Sequence, residues 1–216
     1  MPQTIREQKA KARATLELLR KLDVNAVVAG GAPRNWVENK VARDLDFFIH
    51  LPQRMDAKYM LELVLGVTVI PKVGDTSYEG EYINGVWEYE SDTELPQQII
   101  ILRKPAACQE VLRHFTCNAS QIAHNGFTYH HTEEFMRCHR EKVLTFDFRM
   151  HGYKLDYLNK MLDYYPDYTV DMESIKFPDN MRPEHDNTRP VRPDDTINFD
   201  VPFRRSPAVP IPWVIE

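Results

Sequence analysis

The sequence predicts an α+β (α/β) domain, a mixed sheet backed by helices, followed by an extended proline-rich C-terminal arm. Three observations predict it. Short apolar, β-rich runs recur between residues 26 and 102, helical periodicity stands between and after them, and the composition changes near residue 163. With 216 residues, 43% of them hydrophobic, the chain is long enough for one well-buried core.

Ile5, Leu16, Leu18, Leu19 and Leu22 alternate with Arg6, Lys9, Lys11, Arg13, Arg20 and Lys21, which gives an amphipathic first helix with a basic face. Such a face either meets water or touches a phosphate backbone. "NAVVAGG" is a short buried strand, and "APRNWVENK" opens a helix with a proline suited to a first turn. "DLDFFIH" is a second strand. The spacing of Met60, Leu61, Leu63 and Val64 makes "DAKYMLELVLG" a helix, while "VTVIPK", "GVWEYE" and "QQIIILR" are strands set apart by turn residues. "AACQEVLRHF" is helical, and "TEEFMRCHREKVLTF" is a helix that its first threonine can cap. "FRMHGYKLDYLNKML" has the leucine spacing of a packing helix.

Nine of the fifteen prolines fall between Pro166 and Pro212. Residues 163–216 hold eleven acids against six basic residues, the whole net charge of -5, so residues 1–162 balance at 21 against 21. The chain is therefore divided into a domain over 1–162 and an acidic arm over 163–216. Such an arm cannot bury enough surface to fold alone, and it suits a protein partner or self-association. A polyanionic partner stays open for the domain. No run approaches the roughly 20 apolar residues of a membrane span. Three irregularly spaced cysteines, Cys108, Cys117 and Cys138, suit a reducing cytoplasm rather than a disulfide framework.

The chemistry gathers in "GGAPRNWVENKVARDLD", residues 30–46. Residues two apart on a strand share a face, roughly 6 to 7 Å apart, so Asp44 and Asp46 project together and Leu45 enters the core. Adjacent carboxylates repel unless a cation joins them, and hard oxygen ligands suit Mg²⁺. Gly30 and Gly31 end an apolar strand and open a helix, where backbone amides can cradle a phosphate. Arg34, one turn on, could reach the same group. These residues point to a nucleoside triphosphate with Mg²⁺, and so to nucleotidyl or phosphoryl transfer.

The same segment resembles the signature of class II CCA-adding enzymes and bacterial poly(A) polymerases: a glycine pair, a small residue, an apolar residue, Arg-Asp, a helix, then Asp-x-Asp. Their second motif, Arg-Arg-Asp-Phe-Thr-x-Asn-Ala, is similar to "LRHFTCNASQIAHN" at Arg113, Phe115, Thr116, Asn118 and Ala119. "TEEFMRCHREKVLTF" resembles the family's later helix ending in Lys-x-Leu-Arg-Thr. The resemblance implies a polymerase-β-like nucleotidyltransferase head domain that moves a nucleotide from a triphosphate to an RNA 3′ end or another hydroxyl. By position it implies Asp44 and Asp46 as catalytic magnesium ligands. Gly30, Gly31, Arg34, Arg113 and Asn118 would bind the nucleotide, with RNA or tRNA as partner.

The chain also departs from that pattern. Asn35 and His114 stand where the family has aspartates, and the third active-site acid falls at Gln98. Glu88, Glu90 or Glu94 could replace that acid only in another register. The base-selecting Glu-Asp-x-x-Arg element is absent, which disfavours CCA synthesis. The alternative is a catalytically reduced relative serving as a binding or assembly module through its arm; a toxin or antitoxin of the same superfamily is a third reading.

Overall fold

A computed structural model describes residues 3–72, 82–89, 95–149 and 155–177. Its centre is a seven-stranded sheet in the order β3-β4-β5-β2-β1-β6-β7. The strands are β1 (Val27–Ala29), β2 (Leu45–His50), β3 (Val69–Pro71), β4 (Ile83–Tyr89), β5 (Gln97–Leu102), β6 (Ile122–His124) and β7 (Tyr129–His131). β2 and β5 run parallel and the other neighbours antiparallel, so the sheet is mixed. Every residue of β5 is buried, which is why "QQIIIL" is a continuous run rather than an alternating one.

Alternation along β2 divides the core. Leu45, Phe47 and Ile49 join Val28, Ile99 and Ile101 under α1 (Ile5–Leu19), α2 (Gly31–Val37) and α3 (Ala57–Leu65). Phe48 joins Val27, Ala29, Ile100 and Leu102 on the opposite face, under α4 (Cys108–Arg113). Local chemistry sets the helix ends. Thr4 and Glu7 form a capping box for α1, Asp56 caps α3, and Gly66 closes α3 in the left-handed region at φ 70. Thr132 caps α5 (Glu133–Glu141), its side chain accepting from the Phe135 amide.

A third cluster forms where α5 and α6 (Leu155–Tyr164) enclose Cys117, Ala119, Leu144, Phe146 and Phe148. The paired strands β8 (Val143–Leu144) and β9 (Thr169–Val170) lie beside it. Residues 163–177 belong to this packed region: Tyr165 is buried and Phe177 packs on the cluster. The remainder of the proline-rich segment lies outside the described residues. Among them no helix is long and apolar enough to cross a membrane.

His124 on β6 is 5% exposed, edge-on to Trp36 and Tyr129, and its Nδ1 accepts from the Gly126 amide at 3.1 Å. Burial, helped by Lys9 and His130, pushes its pKa down to about 4. The unfolded chain therefore takes up this proton near pH 6.5, whereas the folded one resists it until about 4. His124 costs the fold nothing above pH 6.5, and stability falls between 6.5 and 4 by on the order of 3 kcal/mol. Urea melts of wild type and His124→Phe at pH 7.5 and 4.5 should show a much smaller pH-dependent loss in the variant. Equal losses would rule this histidine out as the titrating group.

Candidate functional site

The antiparallel register pairs Val27 with Phe48 and Val28 with Phe47. Continued by one residue, it sets Ala29 opposite Asp46, so the half-buried acids Asp44 and Asp46 lie at the same sheet end as the Gly30–Gly31 turn. Adjacent strands are about 4.8 Å apart, which puts the acids within side-chain reach of that turn.

The two glycines differ. Gly30 has φ 81 and its amide donates to the Ile122 carbonyl at 2.9 Å, so this amide belongs to the sheet. A Cβ there would lie 2.6 Å from Phe115 Cε1. The close approach read from the sequence is thus to an aromatic ring: Phe115 of the second motif packs on Gly30 and edge-on to Phe48 at 5.5 Å. Gly31, first residue of α2, has no atom within 4 Å of a notional Cβ. Open space and a helix start therefore coincide at Gly31.

The loop delivering the acids is held by two buried side-chain amides, Gln8 and Asn35. Gln8 is 3% exposed; its Oε1 accepts from the Ala42 amide at 2.8 Å and Trp36 Nε1 at 2.9 Å, and its Nε2 donates to the Ala42 carbonyl at 2.9 Å. Its place on the buried stripe with Ala12 and Leu16 is the signal that could have found it. Asn35 donates from Nδ2 to the Val41 carbonyl at 3.1 Å, which the family's aspartate, ionised, could not do. Gln8→Leu strands two backbone groups and an indole N–H, a loss of about 3 kcal/mol. Chemical denaturation reads that loss, and a change below about 1 kcal/mol would show that water replaces the amide.

Gln98 lies opposite Asp46 on β5, and Glu88 opposite Gln98 on β4. The three form one row across the sheet, with Glu88 about 10 Å from Asp46 along it. Gln98 Nε2 donates to Glu88 Oε1 at 3.1 Å, and Lys72 Nζ meets the same oxygen at 3.0 Å. Glu88 thus serves Gln98 and Lys72 rather than standing beside Asp46. Glu90 and Glu94 lie outside the described residues.

The remaining predicted residues are not gathered at the glycine turn. Arg34 is 6% exposed beneath α6: Nη1 donates to Ser120 Oγ at 3.2 Å and meets Met161 Sδ at 3.5 Å, Nε and Nη2 donate to Asn35 Oδ1, and the guanidinium lies 4.7 Å from the Tyr164 ring centre. Contact with a nucleotide would require α6 to move. Beside it, burial pushes the Cys117 thiol and Tyr157 hydroxyl up to about 12, so both stay neutral. Asn118 donates to the Val143 carbonyl and accepts from the Thr145 amide, each at 3.1 Å, pinning the 3₁₀ turn Asn118–Ser120 to β8. Arg113 is exposed at the end of α4. His114 stacks on Tyr82 with ring centres 3.5 Å apart.

A solved structure shares this architecture. A tRNA-processing enzyme in an apo form aligns over 81% of this chain and 45% of its own, with a TM-score of 0.51 and 18% identity. This chain has a nucleotidyltransferase-like fold. A tRNA nucleotidyltransferase complexed with a primer tRNA and an incoming ATP analog aligns over 74% of this chain and 47% of its own, with a TM-score of 0.47 and 16% identity. A CCA-adding enzyme in an apo form aligns over 63% and 32%, with a TM-score of 0.46 and 15% identity. The chain spans less than half the length of these structures. No protein-family model and no curated protein sequence matches it.

Proposed function

We propose that this chain is a Mg²⁺-dependent nucleotidyltransferase that moves a nucleotide from a nucleoside triphosphate to the 3′ end of an RNA or to another hydroxyl. One observation carries the reading: the β1–β2 register brings Asp44 and Asp46 to the sheet end where Gly31 opens α2 onto free space. The donor set suits magnesium in kind: two half-buried carboxylates, Asp46 on β2 and Asp44 just before it, supply hard oxygen ligands. When bound, the ion would neutralise charge building on the phosphates. The chain's own part is positional. Gly31 and the start of α2 offer amides and a positive helix end to an anion, and Gln8 with Asn35 holds the loop from which the acids project.

Incubation of the full chain with Mg²⁺, each labelled triphosphate and total RNA tests the reading. Label should move to RNA with wild type and not with Asp44→Ala/Asp46→Ala. Transfer unaffected by the double substitution would refute it. A second reading, triphosphate binding without turnover, is favoured by the Gln98–Glu88 pair standing where a third carboxylate would be. Binding that depends on both aspartates, with no transfer under any triphosphate, would select it.

A further inference from the structure

Arg6, Lys9, Arg13 and Arg20 stand at helical spacings of three, four and seven, so they line one stripe of α1. Three of them meet alternate residues of the β6–β7 hairpin. Lys9 Nζ lies 5.1 Å from the Tyr129 ring centre, the Arg13 guanidinium 4.3 Å from the Phe127 ring centre, and Arg20 Nη2 donates to the Asn125 carbonyl. Phe127 nevertheless stays 61% exposed at the hairpin tip. The Asn125 carboxamide oxygen fixes the tip, accepting from the amides of Phe127 and Thr128 at 2.9 Å each.

An exposed aromatic ring backed by an arginine, on a rigid turn, beside a cationic stripe is the combination that single strands bind: bases stack on the ring while phosphates follow the cations. The charge is local. Residues 4–22 carry six cations and two acids in a chain whose net charge is -5. Glu17 pairs with Arg13 at 3.1 Å, but both side chains are more than half exposed, so that pair opposes a phosphate weakly. We infer that α1 and the β6–β7 hairpin form a docking surface for a single-stranded polynucleotide, with Phe127 as its base-stacking platform. By strand rise this tip lies about 15 Å from the Gly30 turn, at the opposite end of β1. The surface is therefore separate from the proposed transfer site and does not depend on transfer.

Fluorescence anisotropy of a labelled 12-nucleotide single-stranded RNA, with neither triphosphate nor magnesium added, tests it. Phe127→Ala, whose ring is not in the core, should weaken binding about tenfold at constant salt. Arg6→Gln/Lys9→Gln/Arg13→Gln should weaken it further and reduce the salt slope by about 2. Circular dichroism spectra and melting temperatures of both variants should match wild type, and Asp44→Ala/Asp46→Ala should bind as wild type does. Failure of the transfer assay with this pattern intact would leave the surface standing. Three results would overturn it: no binding at low salt, binding indifferent to Phe127, or preference for a duplex of equal length or anionic phosphatidylserine vesicles.

Discussion

Gly30→Ala lowers stability by about 2 to 6 kcal/mol, while Gly31→Ala leaves the fold intact and weakens triphosphate binding. The first expectation rests on two penalties. A side chain at φ 81 with ψ -122 lies in a region that only glycine occupies comfortably, a cost of about 1–3 kcal/mol. The new methyl would also lie 2.6 Å from Phe115 Cε1, and the ring can retreat only by disturbing Phe48 and the core beneath α4. Overpacking of that kind adds about 1–3 kcal/mol. For a chain of this size the melting temperature should drop by about 10 °C.

Gly31 has neither constraint. Its φ is not positive and nothing lies within 4 Å of the added atom, so alanine at the helix start is neutral or stabilising by a few tenths of a kcal/mol. The same methyl would enter the space proposed for the phosphates, and affinity for a triphosphate should fall at least tenfold. Calorimetric melting and equilibrium titration of the two variants measure both halves. If Gly31→Ala binds as wild type does, the open space at α2 is not where the phosphates lie.

Asp46→Ala should reduce transfer by at least about a thousandfold with little effect on folding. Asp46 sits at the sheet end nearest the glycine turn, and neither Gln98 nor Glu88 can take its place. The Gln98 amide is given to Glu88, and Glu88 lies two strands away beside Lys72. Asp44 directly precedes β2 and, by the same register, falls opposite Gly31, so Asp44→Ala should cost transfer as heavily as Asp46→Ala. Single-turnover rates with saturating magnesium make the comparison. Equal activity of Asp46→Ala and wild type would move the chemistry elsewhere.

The central strands were legible because burial forces long apolar runs on them: "DLDFFIH" and "QQIIILR" announce β2 and β5, and their parallel register places Gln98 opposite Asp46, where the missing acid was sought. Thr132 at the head of α5 and the leucine spacing of α6 were equally direct. β6 was missed because its three residues are all buried and too few to show a period. A missing Cβ looks the same whether it makes room for an anion or for a ring, and at Gly30 the neighbour that needs the room is Phe115. Arg34 shows the limit of local spacing, since α6, more than a hundred residues along the chain, decides where its guanidinium goes. Phe177 gives no local signal, because it completes a core built by α5, α6 and β8 rather than one of its own.

The central claim is that Gly31 and the two aspartates hold opposite sides of a metal-bound triphosphate. Isothermal titration with a non-hydrolysable triphosphate analogue, with and without Mg²⁺, tests it most directly. Wild type should bind at least tenfold more tightly when magnesium is present, and Asp44→Ala/Asp46→Ala should lose that gain while keeping its melting temperature. Affinity that is the same with and without magnesium, or a magnesium gain that survives removal of both aspartates, would contradict the account.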